Sequence, residues 1–231
     1  MKNILEVNQL VKTFKSDFWK KEKIVLNNID FKIVQGRSVG FLGANGAGKT
    51  TLIKIILGFI FPTQGRFSFS ADWGMKREDI FRHIGYLPER PYFYEDITGR
   101  EYVEFLAQLQ NMKPSEIREA IALWASEFQI TQALDKKIRT YSKGMLQRLG
   151  FMGTLLHNPS LIILDEPLSG LDPLGRKKIK EIMLKLKNEG KTLFFSSHII
   201  EDVEEICDDL LYLKDGIIHQ VSDFHKVLEN N

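Results

Sequence analysis

The segment Gly43-Ala44-Asn45-Gly46-Ala47-Gly48-Lys49-Thr50 constrains this chain more than any other part of it. It fits the pattern G-x-x-x-x-G-K-[ST] and stands between a short apolar run, Ser38 to Leu42, and a second apolar stretch, Thr51 to Leu57. Strand, glycine loop and helix, in that order, is the context the pattern requires. Glycines let successive backbone N–H groups turn inward around an anion, and the helix N-terminus adds the positive end of its dipole. Gly43, Asn45, Gly46, Ala47, Gly48, Lys49, Thr50 and Thr51 are therefore the candidate phosphate-cradling residues. Lys49 would reach the β- and γ-phosphates, and the Thr50 hydroxyl would bind Mg²⁺. By itself the loop predicts only a nucleoside triphosphate site.

A second constraint lies downstream. Leu161-Ile162-Ile163-Leu164 is wholly apolar, as a central parallel strand is, and Asp165 and Glu166 follow it directly. In open α/β sheets ligands sit beyond the carboxyl ends of the strands. Asp165 is the candidate Mg²⁺ ligand, and Glu166 the candidate base that polarises an attacking water. Lys49 and Asp165 are 116 residues apart, whereas a βαβ unit needs about 30. The spacing predicts a subdomain inserted between the two halves of the site.

Bulk composition narrows the function class. The 231 residues suit one sizeable domain, and a formal net charge of +2 gives no support to nucleic-acid binding. One cysteine, Cys207, excludes an internal disulfide framework and fits a reducing compartment. Met1 to Leu10 lacks the apolar core of a signal peptide. The most apolar stretch, Ile55 to Phe61, is far short of the roughly 20 residues that span a bilayer.

Five further motifs, in order over residues 4 to 220, resemble the ATPases of the ABC transporter family. Tyr141-Ser142-Lys143-Gly144-Met145 stands at the position of the L-S-G-G-Q signature, and Ser169-Gly170-Leu171-Asp172 at that of the D-loop. Thr192 to His198 resembles the strand ending in the switch histidine, Ile84 to Glu89 the strand and lid loop, and Phe14 the aromatic that stacks on adenine. Taken singly, His198, Phe14 and the Ser142-Lys143-Gly144 turn would each read as ordinary structure; their shared register with the two strong motifs favours function.

The resemblance implies an α/β P-loop NTPase (RecA-like) core with an antiparallel β subdomain and an inserted α-helical subdomain. The core and β subdomain would occupy about 1–88 and 159–231, and the helical signalling subdomain about 89–158. It implies an ATP- and Mg²⁺-dependent ATPase that works as a head-to-tail dimer, expected to be a homodimer, beneath separately encoded membrane permeases on the cytoplasmic face. Ser142 and Gly144 would reach the γ-phosphate of ATP held by the other subunit, Asp172 would order the seam, and His198 would hold the attacking water. Lys49, Glu166 and His198 are the catalytic candidates. A soluble relative in DNA repair or translation, and a low-activity partner in a heterodimer, are the rival readings. An unrelated P-loop kinase fails to explain residues 141–145, 169–172 and 198.

Two positions depart from the family pattern. The signature reads Y-S-K-G-M, a form that resembles exporter ATPases, and Lys143 is expected in ordinary helical or bridge-region backbone, where a side chain is tolerated. Glu89 stands where most members have Gln, a third candidate Mg²⁺ ligand with Thr50 and Asp165.

Elsewhere, residues 1–34 and 65–70 alternate as strands do, Arg100–Gln110, Ser115–Phe128 and Lys143–His157 read as helices, and Asp215-Gly216 reads as a hairpin turn. The lysines around Phe18 and Trp19 read as a solvated hairpin insertion in preference to a membrane-touching loop. Glu181 and Lys185 are spaced for a salt-bridged helix face. The aromatic run Arg90 to Glu95 suits either a permease interface or packing of the helical insertion onto the core.

Overall fold

The computed structural model describes residues 2–14 and 22–221. The lysine-rich stretch around Phe18 and Trp19 lies outside them. Strands β1 (Asn3–Phe14), β2 (Lys23–Val34) and β4 (Gln64–Phe69) form an antiparallel sheet in the order β2-β1-β4. A second sheet contains β3 (Ser38–Leu42), β5 (Ile84–Leu87), β6 (Leu161–Leu164), β7 (Thr192–Ser197), β8 (Asp209–Lys214) and β9 (Ile217–Val221). Its order is β5-β6-β7-β3-β8-β9, parallel from β5 to β8, with β9 antiparallel at the edge.

The central strands are apolar because both faces are covered: β6 is buried at all four positions and β7 at all six. Helix α1 (Lys49–Ile56) buries Leu52, Ile53, Ile55 and Ile56 against this sheet, each worth about 1.5–3 kcal/mol over exposure. A short helix, α2 (Arg77–Phe81), precedes β5.

Between β5 and β6 lie α3 (Gly99–Leu109), α4 (Pro114–Glu127) and α5 (Lys143–Leu155). Each start follows from sequence. Thr98 and Glu101 form a capping box on α3, Pro114 occupies the first turn of α4, and the Ser142 hydroxyl caps α5 by accepting from the Met145 N–H. Lys143 is the first residue of α5 and is helical, as expected.

Helices α6 (Pro173–Asn188) and α7 (Ile200–Ile206) flank β7. Lys185 of α6 is not paired with Glu181 as the spacing predicts. Its ammonium reaches Glu127 at the end of α4, 2.5 Å away, so a tertiary partner takes the place of the helical one. The β8–β9 hairpin turns on Asp215 and Gly216, both with positive φ, as the dipeptide predicts.

Candidate nucleotide site

Three neighbouring parallel strands bring the site together. β7 lies between β6 and β3, with Leu164 level with Phe195 and Leu42 level with Ser197. Their carboxyl ends therefore deliver the glycine loop, Asp165-Glu166 and His198 to one edge of the sheet. These segments line a cleft of about 480 Å³ that contains Asn45, Gly46, Gly48, Lys49, Thr50 and Thr51, facing Glu89, Glu166, Ser169 and His198.

The cleft is shaped for an anion. Gly48, at φ +114, precedes α1, and no side chain among the described residues caps that helix. A Cβ at Gly48 would lie 2.9 Å from Val25 Cγ1, so only glycine fits both the backbone conformation and the space. With no side chain capping them, the first-turn N–H groups are left open to an anion. Gly46, at φ +79, has open space where a Cβ would stand.

The charged groups interlock. Lys49 Nζ donates to the Gly43 carbonyl at 2.6 Å and to that of Ala44 at 3.3 Å, and lies 3.1 Å from Glu166 Oε1. His198 Nδ1 lies 2.9 Å from Glu166 Oε2. A carboxylate only accepts, which makes Nδ1 the protonated nitrogen of the ring. Glu166 has φ +49, a left-handed conformation that is uncommon for a side-chain-bearing residue and that clusters at functional sites.

Ser196, which sequence reasoning missed, connects the two acids. Its hydroxyl donates to Asp165 Oδ1 at 2.6 Å and accepts from the Glu166 N–H at 2.8 Å. The signal available was its place one residue before the strand end, on the neighbour of the acid-bearing strand. Asp165 is fully buried, and its Oδ2 has no hydrogen-bond partner among the described residues. A buried, unsatisfied carboxylate oxygen beside a phosphate cradle fits a bound divalent cation. Burial, then the charge of Asp165, pushes the phenol of neighbouring Tyr86 well above its ordinary pKa.

Other predicted residues lie elsewhere. Ala47 packs beside Gly43 in the same loop. Phe14 ends β1, 41 % exposed, with the Lys12 ammonium 4.9 Å from its ring centroid, and lies outside the residues that line the cleft. Ser142 and Gly144 stand at the solvent-facing start of α5, and Asp172 caps α6 by accepting from the Gly175 N–H. None of these three lines the cleft of its own chain.

Residues 26–169, more than half of the chain, match the family model described as ABC transporter. An uncharacterized ABC transporter ATP-binding protein of Nostoc sp. is 43 % identical over 217 residues, covering 93 % of this chain and 64 % of the relative. This chain thus spans just under two thirds of that relative's length. The bacitracin transport ATP-binding protein BcrA of Enterococcus faecalis is 34 % identical over 98 % of this chain and 72 % of its own. A solved structure described as the ATP binding subunit of an ABC transporter superposes with a TM-score of 0.84 at 30 % identity, covering 98 % of this chain and 93 % of the other. With these relatives and a P-loop NTPase fold, the chain belongs to the ABC transporter family as an ATP-binding cassette domain.

Proposed function

We propose that this chain hydrolyses ATP to drive transport, with a second ATPase subunit, expected to be a second copy of itself, and with separate membrane permeases. The observation that carries the reading is the placement of Glu166 between Lys49, 3.1 Å away, and His198, 2.9 Å away, at the mouth of the phosphate cradle.

In this reading ATP lies along the glycine loop, its phosphates held by the loop N–H groups and Lys49, its adenine against Phe14. The γ-phosphate takes Lys49 from Glu166 and frees the carboxylate. Glu166 then accepts a proton from water as that water's oxygen bonds to the γ-phosphorus and the bond to the β-phosphate oxygen breaks. His198 holds the water and the phosphate in line. Thr50, Asp165 and Glu89 would hold Mg²⁺, which neutralises charge on the phosphates when bound.

Ser142, Gly144 and Asp172 complete the opposite subunit's site. Their position outside the cleft of their own chain supports a head-to-tail dimer. Residues 89–158 form the signalling subdomain, and the permease docks near a groove of about 510 Å³ lined by Phe59, Tyr86, Tyr92 and Tyr102. Tyr92 of that groove is exposed, as is Tyr94, whose ring centroid lies 5.7 Å from that of Tyr92, which suits an interface. The S-K-G-M signature and the likeness to a bacitracin transport ATP-binding protein support transport, with export as the direction. Among the described residues no helix is long and apolar enough to cross a membrane. In this reading the chain is a peripheral subunit on the cytoplasmic face, because the permeases it would serve are separate chains.

The test pairs the parent chain with Glu166→Gln, measuring Mg²⁺-ATPase rate and size in solution with ATP. Turnover in the parent, with its loss and an ATP-dependent dimer in the variant, is the expected result. An inactive parent and a monomeric variant would overturn the homodimer and favour the low-activity partner.

A further inference from the structure

Arg176 and Asp202 stand 26 residues apart, each just past one of the motifs above, and together they join the two loops that carry Glu166 and His198. Arg176 lies in the first turn of α6, just past the Ser169–Asp172 loop, and Asp202 in the first turn of α7, four residues after His198. Arg176 Nη2 donates to both carboxylate oxygens of Asp202 at 2.9 Å, and Nη1 reaches the Leu168 carbonyl at 3.5 Å. The Asp202 side chain is 3 % exposed, and Lys180 adds a second cation 3.1 Å from it.

With Glu166, Ser169 and His198, both residues line one small crevice behind the cleft. His198 itself lies in a turn that Ser197 closes, its hydroxyl accepting from the Ile199 N–H at 3.0 Å and contacting the Ile199 carbonyl at 3.2 Å. That turn leads directly into α7, so fixing Asp202 fixes the base of the His198 loop. A guanidinium presents several donors in a rigid planar fork, which allows one side chain to hold a carboxylate and a backbone carbonyl together.

We propose that Arg176 and Asp202 are positioning residues for hydrolysis. Their pair sets the separation of the Glu166 loop from the His198 loop, and so holds the imidazole against the carboxylate. The proposal rests on the ATPase reading for its kinetic consequence but not for its structural one. A pair kept only for stability would be replaceable by apolar side chains of similar volume, because removing both charges removes both desolvation costs. Lys180 keeps its own partner, Glu205, 2.6 Å away, in such a variant.

The experiment uses the full chain carrying Arg176→Met with Asp202→Leu. Melting temperature, nucleotide affinity, kcat and the ¹⁵N spectrum of labelled histidines are read together, with His198 assigned through His198→Gln. We expect a folded protein with ATP affinity within about twofold of the parent and kcat lower by about 10- to 100-fold, as for a catalytic group misplaced by roughly 1 Å. The His198 nitrogen signals move while those of the other four histidines hold. Parent-like His198 signals and parent-like kcat would overturn the proposal. If the double variant does not fold, Arg176→Lys carries the same expectation, since it retains the charge and loses the fork. An inactive parent whose His198 signals still respond to the substitution would sink the ATPase reading and leave the positioning role standing.

Discussion

Lys49 Nζ lies 3.1 Å from Glu166 Oε1, while the other oxygen of that carboxylate lies 2.9 Å from His198 Nδ1. The acid therefore occupies, electrostatically, the place an incoming phosphate would take on the lysine. A phosphate on Lys49 would have to displace this ion pair, whose two side chains are both about nine-tenths buried or more. Glu166→Gln is expected to bind ATP about tenfold more tightly, because the neutral amide competes less for Lys49. Equilibrium titration of the variant, and of the parent with a non-hydrolysable analogue, checks this; equal or weaker binding in the variant would refute it.

Ser196 carries a second prediction. Ser196→Ala leaves Asp165 Oδ1 and the Glu166 N–H without their shared hydroxyl, both in a buried setting. Stranding buried polar groups costs about 1–3 kcal/mol. The variant should lose that much stability in urea unfolding and should need more Mg²⁺ for half-maximal ATPase rate. Ser197→Ala, whose hydroxyl serves only the Ile199 turn in the described contacts, is the comparison, and it should leave the Mg²⁺ dependence nearly unchanged. Equal Mg²⁺ curves for the two variants would remove Ser196 from the site.

The sequence made visible what is local. The glycine loop, the acids after the LIIL strand, the helices read over residues 100–110, 115–128 and 143–157 and the Asp215-Gly216 turn are each specified by nearby residues, whereas the Thr98 cap that starts the first of those helices became visible only in the structure. What escaped is set by neighbours in space. Ser196 matters because β7 lies beside β6, a strand order that neither strand encodes. Lys185 has Glu181 four residues before it yet pairs with Glu127, because α4 packs close enough to offer a partner. Arg176 and Asp202 are 26 residues apart and meet only once α6 and α7 have both docked on β7. The order of motifs predicted which residues converge at the strand ends, but not that Glu166 would bridge lysine and histidine.

His157 gives a pH dependence to stability. Its pKa is lowered, chiefly by burial and slightly by Lys191, against the opposing effect of the Ile84 carbonyl 3.0 Å from Nε2. The unfolded chain takes up this proton near pH 6.5, while the folded chain resists it until a lower pH. Below about 6.5 the unfolded state thus binds more protons, and stability falls as pH drops toward the folded value; above that range this group contributes no slope. The fall in Tm between pH 7.5 and 5.5 should be smaller in His157→Gln than in the parent. An identical fall would place the acid sensitivity on other groups.

Glu89 lines the cleft opposite the glycine loop, with its side chain 45 % exposed and Arg90 4.0 Å away and almost fully exposed. So placed, its charge is screened by water, and its pull on a cation near the phosphates is modest. A carboxylate still attracts Mg²⁺ more strongly than a carboxamide. Replacing it should raise the Mg²⁺ needed for half-maximal ATP hydrolysis by about two- to fivefold, the scale of a partly exposed charge interaction. The rate at saturating Mg²⁺ should change less, because Glu166 and His198 remain in place. A Mg²⁺ titration of Glu89→Gln beside the parent measures both quantities. Superimposable curves would mean that the cation is held without Glu89, leaving Thr50 and Asp165 as its protein ligands. A loss of rate that excess Mg²⁺ does not restore would instead place Glu89 among the groups that act on water or phosphate.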